Sequence, residues 1–283
     1  MIKYHFRFFR VFLILSLLVR SLSVYPAPQT TLDLKPAQIA SAYFGLDNAM
    51  PENSRLLCWR GVGLDGMPVT FSHRVTGDIL PSAFTITTRS GKRLHPICAT
   101  TKPAKSKYKN NTVLLIGELG SDKIDPPVKV EVTGDLLLTD NENAKGLSAN
   151  VIQIGSGPTL SLSMSYTFGE IKSNCPQDTK TIVVAVWSGG VVPAPGKTQT
   201  DHLSGYSVQT MTGFKKPFAI GDISDYDNYV HLCYDKVVNA LFVHFEAGNL
   251  KDPNGSLNPK TSIEVSPEIS QMESSNQELM PLN

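Results

Sequence analysis

Val69-Thr70-Phe71-Ser72-His73-Arg74-Val75 and Ala185-Val186-Trp187-Ser188-Gly189-Gly190-Val191 share the pattern aromatic-Ser-x-x-Val at an offset of 116 residues. Outward from this pair, Ser82 to Gly91 faces Ser204 to Gly213 at an offset of 122, which a loop six residues longer in the second copy accounts for. Asn111-Thr112-Val113-Leu114-Leu115 then answers Asn228-Tyr229-Val230-His231-Leu232 at 117, and Val130 to Leu136 resembles Phe245 to Leu250 with a one-residue slip. Cys58 and Cys175 also stand 117 apart. Four matches in one order predict a duplicated unit of about 115 residues.

Within each unit the segments read as strands. Phe84 to Thr88, Thr181 to Trp187, Tyr206 to Thr210 and Leu241 to Phe245 are rich in β-branched and aromatic residues and partly alternate. Turn signals bound them: Leu64-Asp65-Gly66, Ser90-Gly91, Gly189-Gly190 and Pro253-Asn254-Gly255. No segment carries a long, capped 3.6-residue period, and Lys35 to Tyr43 reads equally as a short helix or an opening strand. About seven short strands per unit predict an all-β protein of two tandem β-sandwiches. Their boundary is expected near Ile154-Gly155-Ser156-Gly157-Pro158, with Thr139 to Leu147 read as a hairpin insertion.

Gly66 to Val75, followed by Ser82-Ala83-Phe84-Thr85-Ile86 and Ser90-Gly91, resembles bacterial Ig-like domains, in which a strand of this kind precedes a Phe-centred hairpin. Val130 to Leu136 with Asp140 resembles their closing strand. The resemblance covers roughly residues 56–140, with a fainter echo over 155–265, where Trp187 stands for the Phe and Gly189-Gly190 for the charged pair. It implies two tandem Ig-like β-sandwich domains after a signal peptide, in a spacer or binding module of an exported or surface protein. It carries over no catalytic residue.

Export has its own signal. Lys3, Arg7 and Arg10 precede an apolar run from Val11 to Val19, with Ser21 and Ser23 after it, which is the layout of a secretory signal peptide over residues 1–23. The run is shorter than the roughly 20 residues that a spanning helix needs, and no second one follows. Domain 1 with an N-terminal arm is then expected over 24–154, domain 2 over 155–265 and a disordered polar tail over 266–283. Removing 1–23 takes away four basic residues and leaves 22 basic against 25 acidic, a formal net of −3. The whole chain carries only +1, so neither form has the basic field that nucleic acid binding requires. The expected location is secreted, periplasmic or cell-surface, and no transmembrane segment is expected in the mature chain.

The four cysteines, Cys58, Cys98, Cys175 and Cys233, are widely spaced with no zinc-type pattern, so in an oxidising compartment they read as two disulfides. Duplication selects Cys58–Cys98 and Cys175–Cys233, because the other pairings tie the two units together.

Chemistry-bearing motifs are sparse. The sequence holds no G-x-S-x-G elbow, P-loop, HExxH or EF-hand loop. Adjacent Asp201 and His202, with Ser188 or Ser204 and the 222–231 acidic loop, mark the one place where a hydrolase site could assemble, and a triad needs three groups converging in space. His231 reads as a structural histidine within a strand. Asp222, Asp225 and Asp227, with Asn228, crowd oxygen-bearing side chains before a strand and could hold Ca²⁺, although solvated turn residues give the same pattern. Asn110-Asn111-Thr112 and Asn254-Gly255-Ser256 match the glycosylation sequon. The expectation is a non-enzymatic binding or spacer module for a protein or glycan partner, with a secreted hydrolase as the alternative.

Overall fold

The computed structural model describes residues 35–102, 110–221 and 227–266. From Ala37 onward they belong to one compact unit; of the unit before it only Lys35 and Pro36 are described. The expected signal peptide, N-terminal arm and polar tail lie almost wholly outside the described residues.

The first half contains β1 (Ile39–Tyr43), β2 (Asp65–Phe71), β3 (Phe84–Thr88), β4 (Arg93–Leu94), β5 (Cys98–Thr100), β6 (Thr112–Gly117), β7 (Pro127–Val132) and β8 (Ser148–Ile152). They form one eight-stranded sheet in the order β4-β3-β7-β8-β1-β2-β6-β5. The all-β expectation holds, and here one strand joins the two four-stranded sets that were expected as separate sheets. β1 pairs antiparallel with β2 and also parallel with β8, through Ala42↔Val151 and Tyr43↔Ile152, so it welds two four-stranded sets into a curled half-barrel. A register shift between Ile39 and Ser41 puts a bulge in β1, and bulges bend a strand and raise its twist. Phe71, Phe84, Ile86, Val113, Leu115, Val130 and Val132 fill the concave side and are fully shielded from solvent. The tripeptide Leu64-Asp65-Gly66 is the entry to β2 rather than a turn. Buried Asp65 there accepts the backbone N–H of Asn48 at 2.8 Å and of Leu119 at 2.6 Å, pinning two loops to the strand.

The second half contains β9 (Leu160–Thr167), β10 (Thr181–Trp187), β11 (Val192–Pro193), α1 (Gln199–Gly205), β12 (Tyr206–Thr210), β13 (Gly213–Lys215), β14 (Ala219–Ile220), β15 (Tyr229–Tyr234), β16 (Phe242–Phe245), β17 (Leu250–Lys251) and β18 (Thr261–Glu264). Two four-stranded sheets, β14-β15-β10-β9 and β13-β12-β16-β18, pack around Trp187, Tyr206, Phe245, Val183, Val208 and Val243, while β11 and β17 form a small ladder of their own. Trp187 donates its ring N–H to the Tyr206 hydroxyl at 2.8 Å and meets Phe245 edge-on at 5.1 Å, so its one polar atom is satisfied inside an apolar core. β10 is buried on both faces, because Ile182, Val184 and Val186 pack outward against Ile171, Tyr229 and the Cys175–Cys233 bridge. That explains why Thr181–Trp187 reads as a near-continuous apolar run.

Both disulfides close within one half. Cys58 bonds Cys98, and Cys175 bonds Cys233, the pairing that duplication selects.

A polar seam joins the halves. The buried Tyr43 ring stands against Gly189, where an added Cβ would come within 2.6 Å of it, so only glycine admits the ring. The Tyr43 hydroxyl donates to Asp252 Oδ2 at 2.5 Å, and Asp252 is itself fully buried. Asn254 Nδ2 donates to the Gly45 carbonyl and, at 3.3 Å, to Asp252 Oδ2. Thr112 Oγ1 lies 3.2 Å from the Tyr229 hydroxyl and accepts from Asn228 Nδ2 at 3.1 Å. Burial, with the bond to Asp252 second, pushes the Tyr43 phenol far up, and burial, helped by the Asp227 charge, does the same to Tyr229 against its hydrogen bonds.

Candidate functional site

Strand alternation sorts β12, β13, β16 and β18 into two faces. Tyr206, Val208, Val243 and Phe245 point into the core. Along the other face, register places Phe214, Gln209, Phe242 and Glu264 in one row across the sheet, and Ser207, His244 and Ser262 in the next. Phe214 is 65% exposed and Phe242 40%. The Phe214 and His244 rings meet edge-on with centroids 5.4 Å apart, and Phe242 lies 6.3 Å from the same imidazole. His244 Nε2 is 3.3 Å from Gln209 Oε1, which holds the imidazole between the two phenyl rings. Met211, 86% exposed in the β12–β13 turn, and Leu241, immediately before β16, add apolar surface beside the rings. β13 is the outermost strand on that side of its sheet, and all three of its residues are exposed. Chemically this is an aromatic face flanked by an imidazole, an amide, the Glu264 carboxylate and the Ser207 and Ser262 hydroxyls, next to a sheet edge that can pair with another strand. Leu56 and Trp59, in the loop before β2, are also strongly exposed but have no comparable ring contacts among the described residues.

The residues singled out for catalysis do not converge. Thr198 caps α1: its hydroxyl accepts the Asp201 backbone N–H, and the Asp201 carboxylate accepts the Thr198 N–H at 2.8 Å in return. Those bonds hold the Asp201 carboxyl below the ordinary range. His202, the next residue on the helix, turns inward to pack against Tyr206 and Phe245, and burial lowers its pKa to about 4. The two side chains therefore face opposite surroundings. Ser188 is buried and its hydroxyl accepts the Thr159 N–H, while Ser204 donates to the Asp201 carbonyl. His231 is buried in β15 with its Nδ1 2.9 Å from Ser173 Oγ, in keeping with a structural role.

Of the suggested Ca²⁺ ligands, Asp222 and Asp225 lie outside the described residues. Asp227 Oδ1 accepts the Tyr229 N–H at 2.9 Å as a turn residue. Among the described residues no group of three or more His, Cys, Asp or Glu side chains gathers as metal ligands would. Among them, too, no helix is long and apolar enough to cross a membrane.

No family model matches the chain, and no curated protein or solved structure matches it either.

Proposed function

We propose that this chain is a non-enzymatic, exported binding module of two duplicated Ig-like halves, which grips a protein partner through the aromatic face of its second half. Several observations support the duplication. Taken by position, β1-β2-β6-β5 and β4-β3-β7-β8 in the first half correspond to β9-β10-β15-β14 and β13-β12-β16-β18 in the second. Both repeat the ABED and C′CFG order of immunoglobulin-type sandwiches. The parallel contact between Met164 and Ser266 echoes the β1–β8 pairing that closes the first sheet. The two intrachain disulfides favour an oxidising compartment.

One observation carries the binding role. At the positions of Phe214 and Phe242 the first half places Arg93 and Lys129, paired across the sheet with Thr87 just as the two phenylalanines are paired with Gln209. Where the second half has His244, the first has Glu131, which binds Lys129 at 3.2 Å. The corresponding strands of the first half thus carry a charged outer face, so this strand arrangement does not in itself call for aromatics there. Exposed aromatic clusters that folding does not require mark interaction sites. A protein partner fits better than a glycan: the Phe214 and His244 rings are inclined at 63°, so they make no flat stacking platform.

The test installs the first half's residues, as Phe214→Arg with Phe242→Lys. The variant should keep the wild-type melting temperature and lose capture of the partner that the wild-type chain retains from its native extracellular medium. Equal capture by both proteins rejects the aromatic face as the binding surface.

A further inference from the structure

We propose that Asn254 is a deamidation site whose reaction unfastens the seam between the two halves. The residue belongs to the chain's sole Asn-Gly dipeptide. Gly255 has φ +88° and carries no side chain to hinder attack by its backbone nitrogen on the preceding residue. In the reaction the Gly255 amide nitrogen loses its proton and bonds to Asn254 Cγ. The Cγ–Nδ2 bond breaks, and Nδ2 leaves with that proton as ammonia. Water then opens the resulting succinimide at one carbonyl or the other, leaving aspartate or isoaspartate. No oxidant or reductant takes part.

The leaving nitrogen is the clasp. Asn254 Nδ2 is the atom that donates to the Gly45 carbonyl of the first half and to Asp252 Oδ2. After deamidation a carboxylate stands against the Gly45 oxygen and the buried Asp252 Oδ2, which loses the Asn254 donor and keeps the Tyr43 hydroxyl. Two carboxylates so placed repel, and a carbonyl facing one has no hydrogen to share. The isoaspartate product also lengthens the backbone inside the turn that Gly255 closes by donating to the Asp252 carbonyl at 3.0 Å.

The same bonds guard the site while the seam is shut. Nδ2 is held by two acceptors and the Gly255 N–H by a third, so ring closure must wait for local opening. Deamidation therefore requires the seam to open and, once it has occurred, prevents its full return. The proposal stands on this geometry and is independent of the binding face.

The intact protein, aged at mildly alkaline pH and digested with trypsin, supplies the test through the peptide Asp252 to Lys260. A one-dalton gain should appear on Asn254. Asn258 in the same peptide is an internal control, because Pro259 after it has no N–H to close the ring. The gain should be roughly thirtyfold faster in Tyr43→Phe, the factor by which losing a buried charge-assisted bond of about 2 kcal/mol shifts an opening equilibrium. The aged form, separated by anion exchange, and Asn254→Asp should both be cut faster by proteinase K at the 153–158 connection. Fresh wild-type protein and Asn254→Gln should resist. A glycan on Asn254, a mass gain no faster than at other asparagines, or a gain that leaves the cleavage rate unchanged would each overturn the proposal.

Discussion

Tyr43→Phe isolates the seam, because the ring remains between Gly45 and Gly189 while the hydroxyl alone is lost. That hydroxyl donates to a fully buried carboxylate, Asp252 Oδ2, at 2.5 Å. Removing one partner of a charge-assisted bond costs about 1.5–3 kcal/mol. Asp252 keeps the Ser256 N–H at 2.8 Å and Asn254 Nδ2, so the lower part of that range is expected, about 2 kcal/mol. With a urea slope of about 3 kcal/mol/M for a chain of this size, the unfolding midpoint should fall by roughly 0.5–1 M. The useful probe is tryptophan fluorescence. Trp187 is wholly buried in the second half, whereas Trp59 is 80% exposed and changes little on unfolding. Tyr43 lies in the first half, so it can move the Trp187 transition only if the seam couples the halves. A Trp187 midpoint unchanged within error, with the first half destabilised, would refute the coupling and leave two independent domains.

Two further outcomes follow from buried groups. Burial lowers the His202 pKa from 6.5 to about 4, so the unfolded chain binds the extra proton first as pH falls. Stability from this histidine is complete above the unfolded value and is lost progressively down to about pH 4, by about 3 kcal/mol in all. Urea midpoints measured across that range should flatten in His202→Leu, and an equally steep fall in the variant would remove His202 as the cause. Replacing Cys175 and Cys233 together by alanine opens a loop with a sequence separation of 58 and should cost about 4 kcal/mol in the chain-entropy model. A loss below about 1 kcal/mol would mean that packing rather than the crosslink holds the outer face of β10.

Local chemistry made part of this fold legible. β3, β10 and β12 coincide with the stretches whose β-branched and aromatic residues alternate between turns, and the repeat offsets chose the cysteine pairing. Residues 35–43 stayed ambiguous because Ile39-Ala40-Ser41-Ala42-Tyr43 has weak local preference, and its strand state comes from β2 and β8 on either side. The closure of the first sheet was hidden for the same reason: β1 and β8 are more than a hundred residues apart in the chain, and no local pattern encodes a parallel pair.

The aromatic face was missed because an aromatic in a strand reads as core until the phase of alternation is known. The repeat offsets set Phe214 opposite Lys92 and Phe245 opposite Val130, and only the strand register puts Phe214 and Phe242 where the first half has Arg93 and Lys129. Asp201 and His202 misled in the opposite way. Neighbours on a helix point about 100° apart, so adjacency in sequence sent one to the cap and the other into the core.

Hydrogen exchange on the intact protein, with and without its captured partner, tests the binding face most directly. The account predicts slowed exchange confined to 206–215 and 241–245, with the charged face formed by β3, β4 and β7 unchanged. Protection centred on that first-half face or on the Trp59 loop, with none across 206–215, would contradict it.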